Sequence, residues 1–131
     1  MKKLFAALFL SLTLYGCGSS SGIGGNSPGI SNLVVSPSSI AHNSGGGAAT
    51  LTVYVNFIDL DGDLVKLRLI DTSTQQYREA TLSGTSGLTT GTAYITTIGS
   101  TATVGSYPFS IVAYDSRGNA SNALNGTIVV N

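Results

Sequence analysis

Two short acidic stretches, Asp59-Leu60-Asp61-Gly62-Asp63 and Asp115-Ser116-Arg117-Gly118-Asn119, hold four of the five aspartates in this chain. Carboxylates spaced two residues apart repel one another, and a hard dication bound by six to eight oxygens would relieve the repulsion. A calcium site built from Asp59, Asp61, Asp63, Asp115 and Asn119 is therefore one expectation. The plainer one is a pair of tight turns, in which Asp accepts hydrogen bonds from nearby backbone and Gly supplies positive φ without any metal.

Other reactive side chains are scarce. His42 is the only histidine and Cys17 the only cysteine, so neither a zinc set nor an intrachain disulfide can be assembled. Glu79 is the only glutamate and sits beside Arg78, where a solvated ion pair is expected. No catalytic residues are assigned, and the chain is read as non-enzymatic. Six basic residues balance six acidic ones. Without Lys2 and Lys3, four basic residues face six acidic ones, a net charge of −2 that offers no phosphate-tracking surface. Nucleic acid is not an expected partner.

The amino terminus places Cys17 in a specific context. Met1-Lys2-Lys3 is followed by LFAALFLSLTLY, an apolar run of twelve residues that suits a secretory leader and is too short to span a bilayer. Leu14 fits an ordinary small-residue cleavage pattern poorly. Leu14-Tyr15-Gly16-Cys17 instead resembles a bacterial lipobox, with Leu14 and Gly16 as recognition residues and Tyr15 as a departure from the usual small residue. That resemblance implies a signal peptide over 1–16, diacylglyceryl and fatty-acyl modification of Cys17, and anchoring in a membrane. The absence of aspartate at position 18 implies the outer membrane. Residues 17–29 comprise the lipid-bearing cysteine and a Gly/Ser-rich tether, GSSSGIGGNSPG, whose twelve residues reach roughly 20 Å by the √n scaling of flexible chains.

The elements that must position the acidic stretches lie in residues 30–131. Apolar residues there recur with period two, and Gly, Asn, Asp and Ser clusters punctuate them. Strands are expected at 30–36, 48–58, 64–70, 91–98, 106–114 and 120–130, with a weaker one near 76–82. Leu51, Val53, Val55 and Phe57 should face inward on the second. Val65, Leu67 and Leu69 should face inward on the third, with Lys66 and Arg68 outward. Asn125-Gly126 suggests a bulge in the last strand.

About seven strands in about a hundred residues resemble an immunoglobulin-like antiparallel β-sandwich. Tyr107, two residues before Phe109, matches the tyrosine corner of that fold, with Phe109 at the core-cysteine position and Leu67 or Leu69 in place of the usual tryptophan. The fold would bring the two acidic stretches to one end and leave His42 at the other, excluding a Ser-His-Asp arrangement with Asp59 or Asp115. Asp59-Leu60-Asp61-Gly62-Asp63 is similar to calcium loops of cadherin-like domains. It is unlike an EF-hand, which would need Gly at Leu64 and Glu at Ile70. Tyr54, Tyr77, Tyr94 and Tyr114 are expected to pair across strands rather than to form a sugar platform. The whole is read as a monomeric, lipid-anchored envelope protein carrying a structural or binding module and requiring no cofactor. The alternatives are a calcium-stabilised adhesion or carbohydrate-binding module, and an accessory subunit of an envelope complex with a protein or glycan partner.

Overall fold

Leu51, Val53, Val55 and Phe57 alternate along one strand, β3 (Ala48–Ile58), and all four are buried. A computed structural model describes residues 25–101 and 103–131 and shows that the same period-two logic builds the rest. The remaining strands are β1 (Gly29–Ser36), β2 (Ser39–Ile40), β4 (Leu64–Asp71), β5 (Tyr77–Thr81), β6 (Thr90–Ser100), β7 (Gly105–Asp115) and β8 (Leu124–Val130).

They form two sheets, one ordered β1-β3-β6 and the other β2-β8-β7-β4-β5. Every pairing is antiparallel except β2 with β8. The inner faces meet in a single core to which Val53, Val55, Leu67, Ile111 and Ala113 contribute fully buried side chains. Each larger aliphatic contributes about 1.5–3 kcal/mol on burial, which is how the domain holds without a disulfide. The architecture is the expected immunoglobulin-like sandwich.

Its tyrosine corner is present. Tyr107 donates its hydroxyl to the Thr103 carbonyl at 2.8 Å, and Phe109 two residues on is buried in the core. Leu67 fills the opposing strand position and is completely buried.

Three local expectations are corrected. Strand β2 was not foreseen: after Pro37 the chain crosses from the three-stranded sheet to the five-stranded one, and two residues then pair beside β8. On β4 the register shifts between Leu64 and Lys66, so Leu64 takes the inward position and Val65 is only half-buried. Strand β8 has no bulge at Asn125-Gly126, since its register with β7 is continuous from Leu124 to Val130. Gly126 serves instead as space for its neighbours. A Cβ there would lie 2.5 Å from the Phe109 ring and 2.8 Å from a Leu33 methyl.

Candidate functional site

The two acidic stretches emerge at the same end of the sandwich, one after β3 and one after β7. Ser116 N donates to the Asp63 carbonyl at 2.9 Å, and its hydroxyl bonds the Asp63 carboxylate. The first loop is anchored where Asp59 N donates to the Thr89 carbonyl at 2.8 Å. Asp59 is then fully buried, and its carboxylate accepts from Asp61 N at 3.3 Å and Asp63 N at 2.9 Å. These bonds compensate the charge for its lost water. Gly62 completes the turn with φ of 66°, and a Cβ there would meet Gly87 backbone at 3.2 Å. Only glycine fits both demands.

Asp115 repeats the device on the second loop. Its Oδ1 accepts from Arg117 N at 2.9 Å and Asn119 N at 2.7 Å, while Oδ2 accepts from the Asn119 side chain at 2.7 Å. Asp115 is 2 % exposed. The structure thus pairs Asp115 with Asn119 and groups Asp59, Asp61 and Asp63 separately. One carboxylate oxygen from each of Asp59, Asp61 and Asp63 lies within 4.8 Å of the others. Asp63 Oδ1 is buried and has no hydrogen-bond partner among the described residues. Asp61 is the outermost of the three; it accepts from Asn26 N at 2.6 Å and lies 4.0 Å from the Arg117 guanidinium.

Sequence reasoning missed the residues that stitch the chain's entry to this pole. Asn122 receives Ile30 N on its side-chain oxygen at 2.8 Å and returns its amide to the Ile30 carbonyl at 2.9 Å. Thr85, which is buried, donates to the Leu64 carbonyl at 2.7 Å. Neither residue belongs to a motif, because each acts on backbone distant in sequence.

His42 lies at the opposite pole, where its N donates to the Asn131 carbonyl at 2.7 Å. The eleven-residue strand β3 separates that pole from Asp59 by about 33 Å at the usual rise per residue. Glu79 does not pair with Arg78. It projects outward opposite Arg68 and accepts from its Nε at 2.8 Å, with the Lys66 ammonium 3.2 Å away. The hydrogen bond from Arg68 lowers the Glu79 carboxyl below its ordinary range, and Lys66 adds to the effect. Adjacent residues on a strand face opposite sides, which carries Arg78 away from this group. The Arg68 guanidinium also lies 4.5 Å from the Tyr77 ring and 4.7 Å from the Tyr114 ring, so cation–π contacts hold these two tyrosines. Tyr54 and Tyr94 pair in register on the other sheet with ring centroids 5.8 Å apart. The four tyrosines therefore occupy two opposite faces and form no common platform. Leu14, Gly16 and Cys17 lie outside the described residues.

No family model and no curated protein matches the chain. Among solved structures, a Niemann-Pick type C2 protein from the Japanese carpenter ant superposes with a TM-score of 0.51 at 13% identity, covering 83% of this chain and 96% of that one. The CARDB domain of a Pyrococcus furiosus protein, solved in complex with di-metal ions, gives a TM-score of 0.48 at 14% identity, with coverages of 85% and 95%. The first likeness extends to the fold alone.

Proposed function

We propose that this chain is a bacterial outer-membrane lipoprotein whose sandwich serves as a non-catalytic structural or binding module of the cell envelope. The observation that carries the reading is Cys17, the sole thiol, placed between an apolar leader and a Gly/Ser tether within Leu14-Tyr15-Gly16-Cys17. Two or more acyl chains on one residue give stable anchoring, since each buried methylene contributes about 0.8 kcal/mol. The tether enters the sandwich at the acidic pole, where Asn26 bonds Asp61 and β1 begins opposite Ile58. That pole then faces the membrane and the His42 pole faces away. The test is Cys17→Ser with mass spectrometry of the amino terminus and membrane fractionation. Loss of acyl mass, with failure to be cut or release from the membrane, supports the reading; unchanged maturation and retention refute it.

A second reading, that calcium stabilises the module, is favoured by the orphaned Asp63 Oδ1 within the three-carboxylate group. Asp59, Asp61 and Asp63 would hold the ion, which would supply charge neutralisation and rigidity. Asp115 and Asn119 satisfy each other and fit the ligand role less well. Calorimetric titration of residues 18–131 with calcium decides: heat and a raised melting temperature at millimolar calcium support it, and the absence of both refutes it.

A further inference from the structure

The sandwich is not equally filled along its length. On the inner face of β6, Ala93 and Ile95 are followed towards the His42 pole by Thr97 and Gly99. Their partners on β3 are Leu51 opposite Thr97 and Ala49 opposite Gly99. At the Ala49–Gly99 pair both partners are small, whereas at the other end Gly91 and Ala93 each face a larger residue, Phe57 and Val55. The consequence is a cleft of about 480 Å³ between the sheets, floored by Ile40, Leu51, Leu69, Phe109, Ile128 and Val130. It opens along the side where β5 and β6 are the free edges of their sheets. Its size is that of a small-molecule site, and polar residues such as Gln76, Thr97 and Thr103 line it beside the apolar floor.

Gly99 is the residue that keeps it open. A Cβ there would make only ordinary contacts, 3.7 Å from Leu51 and 3.8 Å from Ile40, so neither packing nor positive φ requires glycine at this position. Strand interiors usually disfavour glycine, which has no side chain to pack. The residue is explained by the space it leaves.

The mouth carries a charge of the right kind. Arg78 lies opposite Leu69 in the β4–β5 register and therefore projects to the same, inner side, where it lines the cleft. Its guanidinium makes no ion pair or side-chain hydrogen bond among the described residues, while Lys66 and Arg68 are both engaged by Glu79. Asp71 also borders the cleft, but its Oδ1 is turned onto its own loop, accepting from Ser73 N at 2.8 Å, the Ser73 hydroxyl at 2.5 Å and Thr74 N at 3.1 Å. A guanidinium at the entrance of a partly apolar cleft matches a carboxylate head on an apolar tail, because its planar fork binds carboxylate bidentately.

We propose that the inter-sheet cleft binds a single-chain carboxylate amphiphile, with its tail between Leu51 and Leu69 and its head on Arg78. This goes beyond the anchoring role and stands independently of the modification of Cys17. The test uses the full chain in lipid nanodiscs with octanoate below its micellar concentration, empty discs serving as the blank. Saturation-transfer NMR titrations compare octanoate with octanol. Wild type should bind octanoate more tightly than octanol. Arg78→Gln should weaken octanoate about tenfold, the loss of a charge-assisted hydrogen bond, and leave octanol unchanged. Gly99→Val should abolish both. Intermolecular NOEs from the octanoate methyl to Leu51 and Leu69 supply a readout on the wild type alone. Binding no better than to empty discs, equal affinity for octanol, or undiminished binding by a folded Gly99→Val variant overturns the proposal.

Discussion

Asp115→Ala separates a turn-capping carboxylate from a metal ligand. The substitution removes the acceptor of three hydrogen bonds, two of them from the backbone of Arg117 and Asn119. Hydrogen bonds to charged groups are worth about 1.5–3 kcal/mol each, and an orphaned buried N–H costs about 1–3 kcal/mol. Some relaxation is available, because Arg117 is half exposed and water can enter once the side chain is shortened. Taking the lower end for the two backbone donors gives a loss of about 2–4 kcal/mol, a large part of the stability of a domain this size. Urea denaturation of residues 18–131 reads it directly, and the melting temperature should fall by about 10–20 °C. The loss should be the same in chelator and in millimolar calcium, since the bonds that are broken involve no metal. A loss below about 0.5 kcal/mol in chelator, with a larger one in calcium, refutes the capping account and moves Asp115 into the metal site.

Three further outcomes are expected. Tyr107→Phe removes the corner bond to Thr103 at a partly exposed site and should cost about 1 kcal/mol, seen as a melting shift of about 5 °C. Gly126→Ala forces a methyl against the Phe109 ring and should cost about 1–3 kcal/mol by urea denaturation. Strong acid should loosen the β4–β5 hairpin. The Ser73 hydroxyl, then the Ser73 and Thr74 amides, hold Asp71 down to about 2, and Arg68 holds Glu79 low as well. A depressed carboxyl stabilises the fold above its unfolded value near 4, and that contribution is lost as pH falls through about 2. Asp71→Asn should flatten the dependence of melting temperature on pH between about 4 and 2; an unchanged curve contradicts this origin.

The long strands were legible because one face of each is buried. Leu51 to Phe57 on β3 and Phe109 to Ala113 on β7 alternate without interruption, and burial on one face permits only one register. Tyr107 was legible for a different reason: it resembles a tyrosine corner, whose hydrogen bond, here to Thr103, is local in sequence. What escaped was set by partners far along the chain. Two residues cannot show a period, so β2 was invisible. A single register shift on β4 exchanged Leu64 for Val65, and no local pattern marks such a shift. Asn125-Gly126 carries a turn signature, yet the glycine answers to the Phe109 ring across the sheet. Arg78 and Glu79 are neighbours in sequence and cannot meet on a strand, because adjacent side chains point to opposite faces. The acidic stretches were placed at one pole correctly, but the division of labour within them depends on which carboxylates are buried.

That division has a mechanical sense. At the acidic pole Asp59 and Asp115 are buried and bonded, Asn122 clamps β1, and Asn26 ties the incoming chain to Asp61. Towards the opposite pole, the inner face of β6 carries Thr97 and Gly99 beside the cleft. Local opening is governed by local packing and hydrogen bonding, so the two ends should differ in protection from hydrogen exchange. A module pulled through its tether needs its firm end where the tether enters, and a module that admits a ligand needs its loose end elsewhere. If Cys17 carries lipid as proposed, the firm end would face the bilayer and the cleft would open on the far half of the domain. Anchoring and binding would then load different halves of the sandwich, and neither would have to yield for the other to work.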